Sequence, residues 1–349
     1  MLSLSESETL FGQILDGQMP VEEITELLIT LADRGETAEE IAGAAKAMRA
    51  RMIGISAPDG AIDVCGTGGD GSHSLNVSTA VALVVAACDV PVAKHGNRAA
   101  SSKAGAADTL EALGLNLDHA SETAEATLTD LGICFLFAQK HHPALGPIMP
   151  IRRAIGRRTI FNLLGPLCNP AGVTRQLVGV AKTELIEIYA EAIALLGAER
   201  AMVVSGVEGL DEISVSGVSL IGQVSSDPQP LFANRDQFAT VTLQPTHTVS
   251  QALHLTYEFK PEYVGMASHA EEALKGGDAV YNAAALRRLL DGLQETPQDR
   301  AYRDAVLLNA AGALIVAGEV QSWENGIEEA AEAIDKGLAK ALLNCWVAF

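Results

Sequence analysis

A glycine-rich stretch offers chemistry suited to binding a phosphate group. Residues 66–71 read GTGGDG, and they follow a short apolar stretch and precede a run of small residues. A loop of this kind lets backbone N–H groups approach an anion at the N-terminus of a helix, where the helix dipole favours negative charge. Glycines that need a positive φ in a tight turn would produce the same spacing, so the loop alone leaves both interpretations open.

The side chains after this loop favour a ligand. Ser74, Asn76, Ser78 and Thr79 place four hydroxyl or amide groups at the start of the next predicted helix. Helix N-capping would account for one of them. Phosphate oxygens and a hydrated Mg²⁺ would account for the others, because hydroxyl oxygens are suitable ligands for hard cations.

A second cluster of hydrogen-bond donors lies at the end of the following predicted strand. Residues 94–103, KHGNRAASSK, contain three cations and two serines in a chain whose net charge is −20. Open α/β sheets bind ligands at the carboxyl ends of their strands. A solvated basic loop is the alternative, but the glycine pattern and this cluster together favour a local anion site.

Two common nucleotide-binding motifs do not fit these residues. The dinucleotide-binding fingerprint also needs an acidic residue at the end of the second strand, and Asp89 lies before that strand. A Walker A motif is excluded because no Gly-Lys-Ser/Thr follows the loop.

Composition limits the class of protein. The 349 residues are 48% hydrophobic and 19% charged, which excludes intrinsic disorder. A chain of this length holds about two domains. The 44 acidic residues outnumber the 24 basic ones, so we expect no nucleic-acid partner and no membrane surface.

Cysteine usage and the N-terminus bear on the compartment. The five cysteines form no CxxC pair, so we expect reduced, mostly buried thiols. The N-terminal residues MLSLSESETLFGQ lack the basic and apolar regions of a signal peptide, and we expect a cytoplasmic protein.

The predicted elements change character along the chain. The first 55 or so residues are predicted helical, with one amphipathic helix between Pro20 and Gly35 and a second opened by a capping box at Thr37 and Glu40. Strands are then predicted at 62–65, 90–93, 131–137, 177–180 and 201–204, and helices at 78–88, 103–113, 183–196, 278–290, 299–317 and 324–343. This alternation predicts an α/β domain with a largely parallel sheet, and the Pro- and Arg-rich residues 138–174 suggest a crossover outside the core.

These motifs and several later ones resemble the anthranilate phosphoribosyltransferase family, which shares the nucleoside-phosphorylase-like fold. The resemblance covers residues 63–71, 76–79, 94–102, 142–144, 157–167 and 209–212, in the same order and with similar spacing. It implies transfer of the 5-phosphoribosyl group from phosphoribosyl pyrophosphate (PRPP) to the amine of anthranilate, in tryptophan biosynthesis, with release of pyrophosphate. It also implies two Mg²⁺ ions and a homodimer.

The family's site residues transfer onto matching positions of this chain. By resemblance, PRPP would be bound by Gly66, Gly69, Asp70, Ser74, Asn76, Val77, Ser78, Thr79, Lys94, His95, Gly96, Asn97, Arg98, Ala99, Ala100, Ser101, Ser102 and Ala106. Anthranilate would be bound by Gly66, Asn97 and Arg152, with Arg152 pairing with its carboxylate. Ser78 would hold one Mg²⁺, and Asp211 and Glu212 the other.

Each of these roles has a structural alternative. Arg152, Arg153, Arg157 and Arg158 could be a solvated helix face, and residues 211–212 could be a surface acidic pair. His95 and His142 could line a substrate channel or merely pack locally, so we assign neither as a catalytic base. Ala104 and Ala106 stand where serines are common in the family, so one phosphate contact is expected to be lost at 106.

The resemblance implies a small helical domain, residues 1–60 joined by a later crossover at about 140–175, and a larger α/β PRPP-binding domain, residues 61–349, with helices around a largely parallel sheet. A pyrimidine nucleoside phosphorylase is the nearest alternative enzyme, but its phosphate loop is expected to read Lys-His-Ser where this chain has Lys94, His95 and Gly96. A non-catalytic nucleic-acid-binding relative would need a basic groove, which the net charge of −20 opposes.

Overall fold

The computed structural model describes residues 1–99, 102–227, 231, 240–241 and 253–349. Its α-helices in these residues are α1 Leu4–Leu15, α2 Val21–Arg34, α3 Ala38–Arg49, α4 Val77–Ala86, α5 Ala106–Ala112, α6 Leu117–Glu122, α7 Ala124–Leu131, α8 Ala138–His141, α9 Ile148–Ile155, α10 Ile186–Leu195, α11 Ala279–Leu290, α12 Pro297–Ala317, α13 Trp323–Asp335 and α14 Leu338–Ala348. Its strands are β1 Ile62–Gly66, β2 Val92–Gly96, β3 Ile133–Phe137, β4 Arg175–Gly179, β5 Arg200–Gly206, β6 Ser219–Ser225, β7 Thr240–Val241 and β8 Leu253–Phe259.

The strands form one sheet in the order β3-β2-β1-β4-β5-β6-β8-β7. Strands β3, β2, β1, β4 and β5 run parallel, and β6, β8 and β7 are joined antiparallel at one end. The chain builds outward from β1 to β3 and then returns to place β4 on the other side of β1. The strand order therefore reverses between β1 and β4, which is where an open sheet of this kind forms a crevice at its carboxyl edge.

The N-terminal helices form a small helical unit. Thr37 and Glu40 form the predicted capping box at the start of α3, and the N–H of Gly35 caps the end of α2. Helix α1 packs against α3 so closely that a Cβ on Gly43 would lie 2.5 Å from the carbonyl oxygen of Leu4. The fold class predicted from the sequence, a small helical domain beside a larger α/β domain with a largely parallel sheet, is confirmed.

The segment that follows β3 contributes to the core, so the expectation that residues 138–174 lie outside it is wrong. Leu164, Leu167 and Cys168 are fully buried in one hydrophobic cluster with residues of α1, α3 and α10. Short apolar runs between the prolines and arginines of this segment point inward. They join the helical unit to one face of the sheet.

The other face of the sheet is covered by helices from distant parts of the chain. Helix α4 is buried along nearly its whole length and packs against α12, which is also largely buried. The single helix predicted for residues 324–343 is wrong, because Gly337 adopts a φ of 72° and separates α13 from α14. A left-handed glycine ends a helix because it lets the chain turn away from the helix axis.

Two further expectations can be compared with the structure. All five cysteines lie in described residues and are unpaired, and every one except Cys345 is buried. Within the described part of the chain, no helix has both the length and the apolar character needed to cross a membrane.

Candidate functional site

A cleft of about 370 Å³ opens at the carboxyl ends of β1 and β2. Its size lies in the range typical of small-molecule sites. Most of the residues singled out from the sequence line it: Gly66, Gly69, Asp70, Ser74, Asn76, Val77, Ser78, Lys94, His95, Gly96, Asn97, Arg98, Ala99, Ser102, Ala106, Arg152, Asp211 and Glu212. The fold therefore brings positions from 66 to 212 to one cavity.

Three of the sequence-predicted residues stand apart from this set. Thr79 is 1% exposed and does not line the cleft, because it lies inside α4 and faces the core. Ala100 and Ser101 lie outside the described residues. Arg98 does line the cleft, but its guanidinium pairs with Asp108 at 2.9 Å and Glu111 at 2.8 Å, so its charge is already balanced within the chain.

The glycine-rich loop uses its glycines as turn residues and as part of the cleft wall. Gly68, Gly69 and Gly71 have φ values of 66°, 74° and 75°, a region that side chains disfavour. Gly66 ends β1 opposite Gly179 of β4, at the crevice where the strand order reverses. The tight-turn interpretation is therefore correct, and it is compatible with the ligand interpretation because the same loop faces the cavity.

Lys94 projects into this region from β2 and is 2% exposed. Its Nζ donates to the carbonyl oxygen of Val64 at 2.7 Å and to the hydroxyl of Ser78 at 3.3 Å. Both acceptors are uncharged, and an ammonium group has three hydrogens to donate. One hydrogen therefore remains for an anion placed beside Ser78.

Two acidic side chains from the loop after β5 contact the glycine-rich loop and the first turn of α4. Asp211 Oδ2 accepts from the backbone N–H of Gly68 at 2.8 Å, and Glu212 Oε1 accepts from the N–H of Ser78 at 3.0 Å. Burial raises the pKa of both carboxyl groups above their usual range, and neighbouring carboxylates, including Asp70, raise the pKa values further. Acidic groups held this close together are suited to a cation, so the surface-pair alternative does not describe them.

The donor set fits Mg²⁺ better than a metal enclosed by protein ligands. Carboxylate and hydroxyl oxygens at Asp211, Glu212 and Ser78 are ligands for a hard cation. Among the described residues, no three His, Cys, Asp or Glu side chains are arranged to hold a metal. Mg²⁺ is commonly bound by one or two carboxylates together with substrate phosphates, and this cleft offers two carboxylates, at Asp211 and Glu212.

Arg152 lies at another part of the cleft, on α9. Its guanidinium carbon stands 5.7 Å from the ring centre of Phe161, and its Nη1 contacts the Met149 sulfur at 3.6 Å. Burial lowers the pKa of Arg152. The neighbouring Arg153 is exposed and Arg157 forms an ion pair with Asp33, so a solvated face describes those two and not Arg152.

Two histidines in contact with each other also line the cleft. His95 Nε2 lies 3.3 Å from His142 Nε2, and His95 Nδ1 donates to the carbonyl oxygen of Gly165 at 3.0 Å. Burial lowers the pKa of His95 to about 3 and that of His142 to about 4. Both imidazoles are therefore neutral near pH 7, whichever role they have.

Some residues of the cleft were missed by the sequence analysis. Met48 from α3, Leu145 and Phe161 supply apolar side chains to the cleft lining, and Phe161 lies against Arg152. Met48 belongs to the apolar face of its helix, where the sequence cannot distinguish a core residue from a cavity residue. Phe161 lies in a motif that was noted, but an aromatic residue in an apolar run predicts packing first.

Comparison with known proteins supplies the family. The helical bundle domain of a glycosyl transferase family matches residues 1–52, and the a/b domain of that family matches residues 58–340. The anthranilate phosphoribosyltransferase of Novosphingobium aromaticivorans is 60% identical over 347 residues, covering 99% of this chain and 96% of that protein. This chain belongs to the anthranilate phosphoribosyltransferase family.

Solved structures of anthranilate phosphoribosyltransferases share the fold of this family member. The enzyme from Thermus thermophilus superimposes with a TM-score of 0.85 at 38% identity, covering 100% of this chain and 95% of that one. The enzyme from Saccharomyces cerevisiae, solved in complex with PRPP and Mg, gives a TM-score of 0.82 at 27% identity, covering 99% of this chain and 93% of that one. These comparisons offer no support for the nucleoside phosphorylase alternative.

Proposed function

We propose that this chain transfers the 5-phosphoribosyl group of PRPP to the amine of anthranilate in the cleft described above, giving N-(5-phosphoribosyl)anthranilate and pyrophosphate. This is the reaction of an anthranilate phosphoribosyltransferase, a step of tryptophan biosynthesis. The observation that carries the proposal is one cavity with two chemically different parts. One part combines a glycine-rich loop, Lys94 and the Asp211–Glu212 carboxylates, and the other holds Arg152 against the Phe161 ring.

The first part of the cleft is suited to PRPP and its leaving group. The loop from Gly66 to Asp70 would contact the ribose and phosphate oxygens, and Lys94 would donate its remaining hydrogen to the pyrophosphate. Fixed donors of this kind stabilise charge as it develops, without reorganisation during the reaction. Mg²⁺, when bound, supplies further neutralisation of the departing pyrophosphate.

We place two Mg²⁺ sites in this part of the cleft. The Ser78 hydroxyl would contribute to one, and Asp211 with Glu212 would contribute to the other. The support is that Glu212 already contacts the backbone of Ser78, so the two groups of ligands lie side by side. The yeast relative solved with PRPP and Mg supports the metal, while the number of ions is our proposal.

The second part is suited to an aromatic amine that carries a carboxylate. The forked guanidinium of Arg152 would pair with the carboxylate, since Arg binds such groups through two parallel hydrogen bonds. Asn97 and Gly66 also line the cleft and would contact anthranilate there. The protein would then align the amine with the anomeric carbon of PRPP, which removes much of the entropic barrier.

The amine nucleophile needs little activation. A neutral aromatic amine already carries a lone pair, and the neutral histidines of the cleft place no positive charge beside it. We therefore assign no residue as an acid or base.

The division into residues 1–60 and 61–349, the homodimer and the cytoplasmic location stay predictions from the sequence.

A comparison of two candidate reactions, run in separate mixtures, tests the proposed function. Purified protein would be incubated with PRPP, anthranilate and Mg²⁺, and separately with uridine or thymidine and inorganic phosphate, with products separated by chromatography. We expect phosphoribosylated anthranilate and one equivalent of pyrophosphate in the first mixture and no free base in the second. Free uracil or thymine without the anthranilate product would overturn the assignment.

A further inference from the structure

The side chain of Asn76 is held by two buried residues that do not line the cleft. Its Oδ1 accepts hydrogen bonds from Thr109 Oγ1 at 2.6 Å and from Asn282 Nδ2 at 2.8 Å, and its Nδ2 donates to the carbonyl oxygen of Ala104 at 3.3 Å. Thr109 is 0% exposed and Asn282 1%. Both are uncharged, and neither belongs to the motifs singled out in the sequence.

Backbone groups at both ends of this network determine its polarity. The N–H of Gly277 can only donate, and it donates to Asn282 Oδ1 at 2.8 Å, so Nδ2 of Asn282 must be the group that faces Asn76. At the other end, the Ala104 carbonyl can only accept, so Nδ2 of Asn76 must be the group that faces it. Oδ1 of Asn76 therefore points away from Ala104, toward Thr109 and Asn282.

This arrangement leaves the side chain of Asn76 with one free hydrogen-bonding group. Its carbonyl-type oxygen uses both lone pairs on Thr109 and Asn282, and one of its two amide hydrogens is used on Ala104. What remains for a ligand is a single N–H donor. Asn76 lines the cleft, so this residue can offer a donor to phosphate but no oxygen that would repel it.

The same network fastens the phosphate-binding segment to the C-terminal half of the chain. Leu75 N–H donates to the carbonyl oxygen of Leu274, and Gly276 N–H donates to that of His73, both at 2.8 Å. A Cβ on Gly276 would lie 2.7 Å from both Asn282 Oδ1 and the Ser74 carbonyl oxygen, so only glycine permits this approach. Asn282 thus contacts both the side chain of Asn76 and the backbone of Gly277, next to the residue that packs against Ser74.

We propose that Asn282 and Thr109 are positioning residues for PRPP, which orient the Asn76 amide so that its N–H meets a phosphate oxygen. The proposal rests on the proposed function, since it assumes that the cleft binds PRPP. Neither residue touches the substrate. Each acts through Asn76, and the two act from different helices, α11 and α5.

Two substitutions separate this role from simple packing. Thr109→Val removes one of the two donors to Asn76 while keeping the shape of the side chain. Asn282→Asp leaves the acceptor for Gly277 but replaces the donor to Asn76 by a carboxylate oxygen, which repels Asn76 Oδ1. The Ala104 carbonyl opposes the turned-over amide as well, so the Asn76 amide loses its fixed orientation. Thr127→Val is the matched control, because Thr127 is 1% exposed, lies on α7 and donates its hydroxyl hydrogen to the Ala124 carbonyl oxygen of its own helix, at 3.2 Å.

Steady-state kinetics with both substrates and calorimetric titration with PRPP and Mg²⁺ give the readout. We expect Thr109→Val to raise the KM and Kd for PRPP about fivefold, the equivalent of one hydrogen bond, and Asn282→Asp to raise them further, with the KM for anthranilate changed less than about twofold. A purely structural role would lower the melting temperature and the active fraction without this selectivity. The Thr127→Val control should keep both KM values.

The outcomes distinguish this inference from the proposed function. PRPP affinities of Thr109→Val and Asn282→Asp that match the Thr127→Val control would overturn the positioning role and leave the proposed function intact. Equal increases in the KM for both substrates would also overturn it. If the wild-type protein binds no PRPP in the presence of Mg²⁺, the proposed function fails and the inference fails with it.

Discussion

Asp211 accepts a hydrogen bond from the backbone of Gly68 at 2.8 Å, across 143 residues of sequence. The acidic loop after β5 is thereby attached to the glycine-rich loop after β1. Glu212 likewise accepts a hydrogen bond from the backbone N–H of Ser78, at 3.0 Å. The carboxylates proposed to hold metal and the backbone proposed to hold phosphate are consequently one connected unit at the crevice between β1 and β4.

This unit makes turnover sensitive to the charge at the acidic pair. We expect Asp211→Asn combined with Glu212→Gln to lower kcat at least about tenfold and to weaken the dependence of the rate on Mg²⁺, because amides are poorer ligands for a hard cation. Initial rates across a Mg²⁺ titration would measure this. Glu187→Gln, at an exposed carboxylate of α10, is the control and should behave as the wild type. Unchanged rate and Mg²⁺ dependence in the double variant would remove the metal role.

The close approach of the two loops gives a second prediction. A Cβ on Gly66 would clash with Asp211 Oδ2, so Gly66→Ala should displace the carboxylate and reduce kcat by about tenfold or more. Gly217→Ala is the control, since a Cβ there meets nothing within 4 Å. Kinetics and thermal melting of both variants would be compared. Wild-type turnover in a folded Gly66→Ala variant would show that the contact has no bearing on activity.

Arg152 should serve one substrate and not the other. Loss of a charge-assisted hydrogen-bonded pair costs about 1.5–3 kcal/mol, so Arg152→Ala should raise the KM for anthranilate roughly tenfold to a hundredfold with little change in the KM for PRPP. Arg153→Ala, at the exposed neighbour on the same helix, should leave both constants unchanged. If Arg152→Ala raised both KM values equally, its role would be in PRPP binding or stability.

The lowered pKa of the buried His142 makes the free energy of unfolding depend on pH. His142 has a folded-state pKa of about 4, whereas an unfolded histidine has a pKa of about 6.5. As the pH falls below 6.5 the unfolded chain takes up a proton that the folded chain does not, so stability is lost between about pH 6.5 and 4. The fall in unfolding free energy from pH 7.5 to 5.5 should be about 1.4 kcal/mol smaller in His142→Asn than in the wild type. Denaturation curves at both pH values test this, and an equal fall in the two proteins would contradict it.

Local signals in the sequence predicted much of this architecture. The Thr37–Glu40 capping box and the glycines from 66 to 71 are recognisable because their effect is confined to a few neighbouring residues. The position of Asp211 over Gly66 depends on the order of the strands, which no local pattern encodes. Gly66 and Gly179 give a partial indication of this contact, since both positions lack a Cβ where Asp211 crosses the strand ends.

The residues missed by sequence analysis share a physical reason. Asn282 and Thr109 are small, uncharged and buried, and a polar residue within a predicted helix gives no sign of the partner it meets across the fold. Leu164 and Leu167 were assigned outside the core because prolines and arginines surround them, although these apolar side chains face inward. Gly337 lies within the last predicted helix. From sequence, a glycine there is as consistent with a continuous helix as with a helix end, and its φ of 72° shows that it is a helix end.

Anthranilate fluorescence provides the most direct test of the central claim. Purified protein would be mixed with anthranilate, PRPP and Mg²⁺, with parallel samples lacking PRPP or containing a chelator. We predict loss of the anthranilate signal in the complete mixture and none in either control. A folded protein that leaves the signal unchanged in the complete mixture would contradict the proposed reaction.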